Sequence, residues 1–134
     1  MPVSRIDQGM AAAAVAALPP VVDKELRTRY KQLRVMLHSA GLAATYAFIA
    51  AKAGNNGSLE TAYRDAALEL RKRLVTQGLL TGDARTMTVR NVMGQLGAME
   101  PVPYARASAE AAAFAGWLSR LADAAYNEQG GHAR

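Results

Sequence analysis

Cysteine is absent from this chain of 134 residues, which excludes disulfides, thiolate chemistry and Cys-based zinc sites. Histidine is scarce. His38 and His132 stand far apart, and no Asp/Glu/His cluster has ligand spacing around either, so the sequence offers no metal site and implies no cofactor. Aromatic residues make up only 6%, leaving few rings on which bases could stack. Apolar runs are short as well. None reaches the roughly 18 residues needed to cross a bilayer. The nearest, Met10 to Leu18, is mostly alanine, has Asp7 and Gln8 before it with Arg5 as the only preceding basic residue, and stops at Pro19-Pro20. It reads as an amphipathic helix rather than an export signal, and the protein is expected in the cytoplasm.

Catalytic motifs are missing too. Ser39 follows His38, but side chains at i and i+1 on a helix do not face each other, so no nucleophile is activated there. Asp65 and Glu69 share a helix face, yet Arg64 and Arg73 stand beside them; that pattern reads as a solvated ion-pair face rather than an acid–base pair. Gly54-Asn55-Asn56-Gly57 lacks the Gly-Lys-Ser/Thr ending of a phosphate loop, and Gly78 to Asp83 fails in the same way. The expectation is a protein without catalytic residues.

Alanine-rich helical periodicity is what the chain does have, and alanine is the best helix former. The spacing predicts an all-α fold, a single compact bundle of about six helices over residues 1–134, with residues 129–134 as a frayed tail. The first helix spans about Ser4 to Leu18, with Ser4 and Asp7 as a capping pair and Ile6, Met10, Ala13, Ala14 and Ala17 inward. The second spans about Asp23 to His38, with Leu26, Tyr30, Leu33 and Leu37 inward. A third, about Ser39 to Ala53, is apolar nearly all round and is expected to be buried, Phe48 included. Ser58 is placed as the cap of the fourth, whose inward stripe is Leu59, Tyr63, Ala66, Leu70 and Leu74, with Gly78 beyond its end. The fifth is expected at about Ala84 to Met99, despite Gly94 and Gly97. The sixth is expected at about Pro103 to Asn127, with Tyr104, Ala107, Ala111, Phe114, Leu118, Leu121 and Ala125 inward.

Charge then supplies the one functional hint. The net charge is +5 and the pI about 9.9, which suits an anionic partner such as nucleic acid. Lys24, Arg27, Lys31 and Arg34 form a basic stripe on the second helix, on the side away from its apolar face. Such a stripe follows a phosphate backbone without reading bases. It reads equally as a plain solvated helix face.

The stretch Leu37 to Lys52, with Gly41-Leu42, Ala47-Phe48 and Lys52 in order, resembles the signature of the small subunit of the Cmr complex, the type III-B CRISPR effector. Tyr104-Ala105-Arg106, Ala111-Ala112, Trp117-Leu118 and Arg120 to Ala122 resemble that family's last helix. The resemblance is weakest over Gly54 to Glu100, and its motifs are mostly core residues. It implies an all-helical, non-catalytic subunit that stacks with copies of itself into a filament beside backbone and large subunits, bordering the groove where guide and target RNA pair. It carries Lys52 and Arg120 over as RNA-binding candidates, beside Lys24, Arg27, Lys31 and Arg34 from spacing; Arg64 and Arg71 are weaker ones. The alternatives are the small subunit of the type III-A Csm complex and a helical adaptor that binds only protein. On this reading, reversing Arg27 and Lys31 to Glu weakens RNA capture without unfolding the chain.

Overall fold

A computed structural model describes residues 2–54 and 57–133, with side chains over 8–54 and 57–130. Six helices follow in order: α1 (Pro2–Ala17), α2 (Lys24–Ala40), α3 (Leu42–Lys52), α4 (Ser58–Thr76), α5 (Val89–Ala98) and α6 (Pro101–Ala133). There is no strand among the described residues. The predicted all-α bundle of six helices is what forms.

Packing of long apolar stripes sets the arrangement. In α2, Leu26, Tyr30, Leu33 and Leu37 are all buried, as their spacing requires. Ala107, Ala111, Phe114, Ala115, Leu118 and Ala122 bury the matching stripe of α6. The alanines let the two backbones approach closely. These helices run antiparallel: Val22 just before α2 meets Gln129 near the end of α6, and Ala43 just after α2 meets Tyr104 near its start. Helix α4 packs against the other flank of α2, α3 and α5 cover one side of the bundle, and α1 lies on α6.

Local signals fix the ends. The Asp23 carboxylate accepts from the Leu26 N–H at 2.8 Å and starts α2. Helix α4 ends as expected at Gly78. This residue takes φ +74, the Leu79 N–H reaches the Leu74 carbonyl at 2.8 Å, and the Gly78 N–H reaches Val75 at 3.0 Å, the bond pair of a Schellman turn.

Several boundaries differ from the sequence reading, each for a physical reason. Helix α1 begins at Pro2, so Ser4 lies inside it; the side chains of Ser4, Ile6 and Asp7 fall outside the described residues. Helix α2 runs on to Ala40, because Gly41 rather than Ser39 breaks the chain. Gly57 stands at the cap of α4 and Ser58 is its first residue, with no side-chain cap bond. Residues 84–88 are a connection rather than helix, and α5 starts only where the Thr88 hydroxyl accepts from the Asn91 N–H at 3.0 Å. Pro101, not Pro103, opens α6. Both prolines fit its first turn, where backbone N–H groups have no partner within the helix. The helix continues past Asn127 to Ala133.

Helix α3 is corrected most. It is not buried all round. Leu42, Thr45, Tyr46 and Ile49 are buried, but Ala44, Ala47, Phe48, Ala51 and Lys52 face outward, with Phe48 37% exposed. A short helix at the edge of a bundle has neighbours on one side only. Leu59, in the first turn of α4, is likewise 37% exposed instead of in the core.

Candidate functional site

The basic stripe of α2 does not face straight away from the core. It lies on the flank beside α6, and this divides its members. Arg27 is taken up by the fold. Its Nε donates to the Asp123 carboxylate at 2.8 Å, and its guanidinium lies 4.7 Å from the centre of the Tyr126 ring. Lys24, Lys31 and Arg34 are exposed and make no ion pair among the described residues. They extend over about 15 Å of helix at a rise of about 1.5 Å per residue.

Arg120 joins them from α6. In two antiparallel helices, one turn on from the Arg27–Asp123 pair stand Lys31 and Arg120. Arg120 is exposed, with its guanidinium 5.0 Å from the Trp117 ring centre. Lys52 stands apart. Its ammonium lies 5.4 Å from the Phe48 ring, and Phe48 meets Tyr63 of α4 edge-on at 6.1 Å. Tyr63 in turn accepts from Arg29 on the α4-facing flank of α2, at 3.3 Å. Lys52 therefore belongs to the other side of α2 from the stripe.

The weaker candidates have structural work. Arg71 donates from Nε to the Ala84 carbonyl at 2.7 Å and from Nη1 to the Tyr46 hydroxyl at 3.0 Å, pinning the α4–α5 connection to α3. Arg64 donates to the Ala53 carbonyl at 3.3 Å. Spacing along one helix has no access to these contacts. Asp123 and Tyr126, at i and i+3 on α6, were the only sign that Arg27 had a partner waiting.

The acids are not the solvated face that the sequence suggests. Arg73 reaches Glu110 of α6, at 2.6 Å, and Lys72 pairs with Glu69, at 3.4 Å. Burial holds the carboxyls of both Asp65 and Glu69 above their ordinary range. Burial also pushes the Tyr30 phenol up, helped by the charges of Glu69 and Asp65; its hydroxyl is enclosed with no hydrogen-bond partner among the described residues. The charge of Asp65, one turn away on α4, adds to the rise at Glu69. Asp65 lines a hollow of about 340 Å³ with Pro19, Asp23 and Ser58. Glu69 lines another, of about 170 Å³, with Ala13, Ala16 and Phe114. The Ser39 hydroxyl donates back to the Val35 carbonyl at 3.0 Å, the ordinary habit of a helical serine.

The model of the family described as CRISPR-associated protein (Cas_Cmr5) matches residues 6–125. The chain belongs to the Cas_Cmr5 family. It is thus a small subunit associated with the type III-B CRISPR Cmr complex, and its membership implies association with other Cmr subunits. No curated protein and no solved structure matches it. The Cas_Cmr5 match runs through residues 54–100, where the resemblance of the sequence was weakest. Among the described residues, no helix is long and apolar enough to cross a membrane.

Proposed function

We propose that the chain is a non-catalytic subunit of a type III-B CRISPR RNA-guided effector, acting in antiviral defence in the cytoplasm. Copies of it stack beside the backbone and large subunits and line the groove where guide and target RNA pair. The observation that carries the RNA role is the row Lys24, Lys31 and Arg34, exposed and without anionic partners among the described residues, with Arg120 beside it across the seam. Such a row attracts phosphates and reads no bases, because no exposed ring in it offers a stacking platform. The engagement of Ser39 with its own helix supports a role without catalysis. The family is that of the Cmr complex, which favours type III-B over type III-A.

The test uses Lys24, Lys31 and Arg34. Arg27 is unsuitable, because Arg27→Glu would set a carboxylate against Asp123 and loosen α2 from α6. Single-stranded RNA binding is measured across a salt series, alone and with the backbone subunit carrying guide RNA. The triple Glu variant is expected to lose affinity for every RNA sequence alike. Its salt slope should fall by about 2, at about 0.7 for each phosphate that is no longer neutralised. An unchanged slope and affinity would remove this face from the RNA groove. Failure of the wild type to bind in either setting would favour the protein-only adaptor.

A further inference from the structure

Arg27 stands inside the cation row of α2 and is its one member with an ion pair among the described residues. Its Nε donates to Asp123 Oδ1 at 2.8 Å, and the pair is partly open to water, with side chains 31% and 40% exposed. The bond is a single one. The two Nη groups of Arg27 donate to nothing among the described residues, although a guanidinium and a carboxylate are able to form two bonds side by side. A lone, partly exposed ion pair adds little to stability. The other carboxylate midway along α6, Glu110, is held by Arg73 on the α4 side, so Asp123 is the acid set into this row.

Arg27 also fills the row's widest gap. Without it, Lys24 and Lys31 are about 10.5 Å apart along the axis; with it the steps are about 4.5 and 6 Å, at about 1.5 Å per residue.

We infer that Asp123 stands in for an RNA phosphate on Arg27, so that Arg27 is held in reserve in the free chain and passes to a phosphate when RNA lies along the row. This deepens the RNA-lining role proposed above and rests on it. To the guanidinium the two partners are alike, since each offers anionic oxygens. The carboxylate is always present. The phosphate gains its advantage once Lys24 and Lys31 hold its neighbours on the strand, because its contact with Arg27 is then made within a complex already formed. The arrangement suits the role. A row of cations grips any RNA alike, whereas pairing with a guide has to select the target, and a carboxylate in the row lowers the indiscriminate grip.

The test is binding of one single-stranded RNA across a salt series, by the full chain alone and with the backbone subunit carrying guide RNA. Asp123→Asn keeps the shape of the side chain and an oxygen that accepts from Arg27, so helical circular dichroism and the urea midpoint should be kept. Affinity is expected to rise about fivefold at about 0.1 M salt, and the salt slope to steepen by about 0.7, the share of one more neutralised phosphate. In an Arg27→Gln background the same Asp123→Asn change should bring no such gain. An equal gain there would mean that the carboxylate only repels RNA. An Asp123→Asn chain that binds like the wild type would mean that Arg27 never passes to a phosphate. Either result overturns the inference and leaves the row Lys24, Lys31 and Arg34 standing. Should Asp123→Asn fail to fold, the wild type decides: the Arg27 Nε–H resonance is expected to shift when RNA is added, and a resonance that stays in place overturns the inference. RNA binding absent from wild type and variant alike, in both settings, would remove the row itself and the inference with it.

Discussion

At Gly41 the chain turns from α2 to α3 with φ +92, in the left-handed region where a side chain is strained. Its N–H still closes α2 on the Leu37 carbonyl at 3.3 Å, and its carbonyl opens α3 by accepting from Thr45 at 3.1 Å. One residue thus serves both helices. Gly41→Val is expected to cost about 1–3 kcal/mol, the cost of holding a non-glycine residue in such a conformation. Urea denaturation measures it, and a variant as stable as wild type would contradict the reading. The sequence reading set Gly41 inside the third helix, because Ser39 and Ala40 suit the end of a helix as well as a start. Arg27 and Arg71 teach the complementary lesson. A basic residue at helical spacing looks the same whether it meets water, a carboxylate or a carbonyl on another helix, so spacing alone credited both with RNA contacts that Asp123, Ala84 and Tyr46 compete for.

Between elements, the Arg73–Glu110 pair joins α4 to α6 at 2.6 Å, with side chains 13% and 19% exposed. The Arg73 guanidinium also lies 5.5 Å from the centre of the Phe114 ring. Removing one partner strands the other charge in a poorly solvated place. Glu110→Ala is therefore expected to cost about 3 kcal/mol, the low end for a broken buried pair. The double variant Arg73→Met with Glu110→Leu should recover most of that, since an apolar pair of similar volume needs no hydration. A double-variant cycle by chemical denaturation checks both values. The sequence pairs Arg73 with its neighbours on α4 because only intrahelical partners can be read from spacing. The same limit misplaces α3. Its apolar pattern is continuous, but whether such a helix is central or at an edge depends on how many other helices reach it.

Across the whole molecule, the connection before α2 is tied to the far end of the chain by Gln129 of α6. Its amide accepts from the Val22 N–H at 2.9 Å and donates to the Val22 carbonyl at 2.8 Å, across 107 positions of sequence. Val22 is buried, so Gln129→Ala leaves both of its backbone groups short of partners. A destabilisation of about 2 kcal/mol is expected, from two bonds of about 1 kcal/mol each, measured as a lower midpoint in urea with an unchanged slope. No change would mean that water replaces the amide. The tail beginning at residue 129 gave no sign of this role, since a lone glutamine before two glycines carries no periodicity.

The sequence by itself determined the helical class, the number of helices, the buried stripes of α2 and α6 and the turn at Gly78. These follow from local periodicity and backbone preference, which act over a few residues. It also carried the family resemblance, whose motif residues Leu42, Ala111 and Leu118 are buried while Ala47, Phe48 and Lys52 face outward. Only the tertiary structure decided which cations are free, which acids share a hollow and which helix face is left uncovered. Those outcomes rest on partners far away along the chain, where Asp123 finds Arg27 and Glu110 finds Arg73, and no spacing within one helix encodes them.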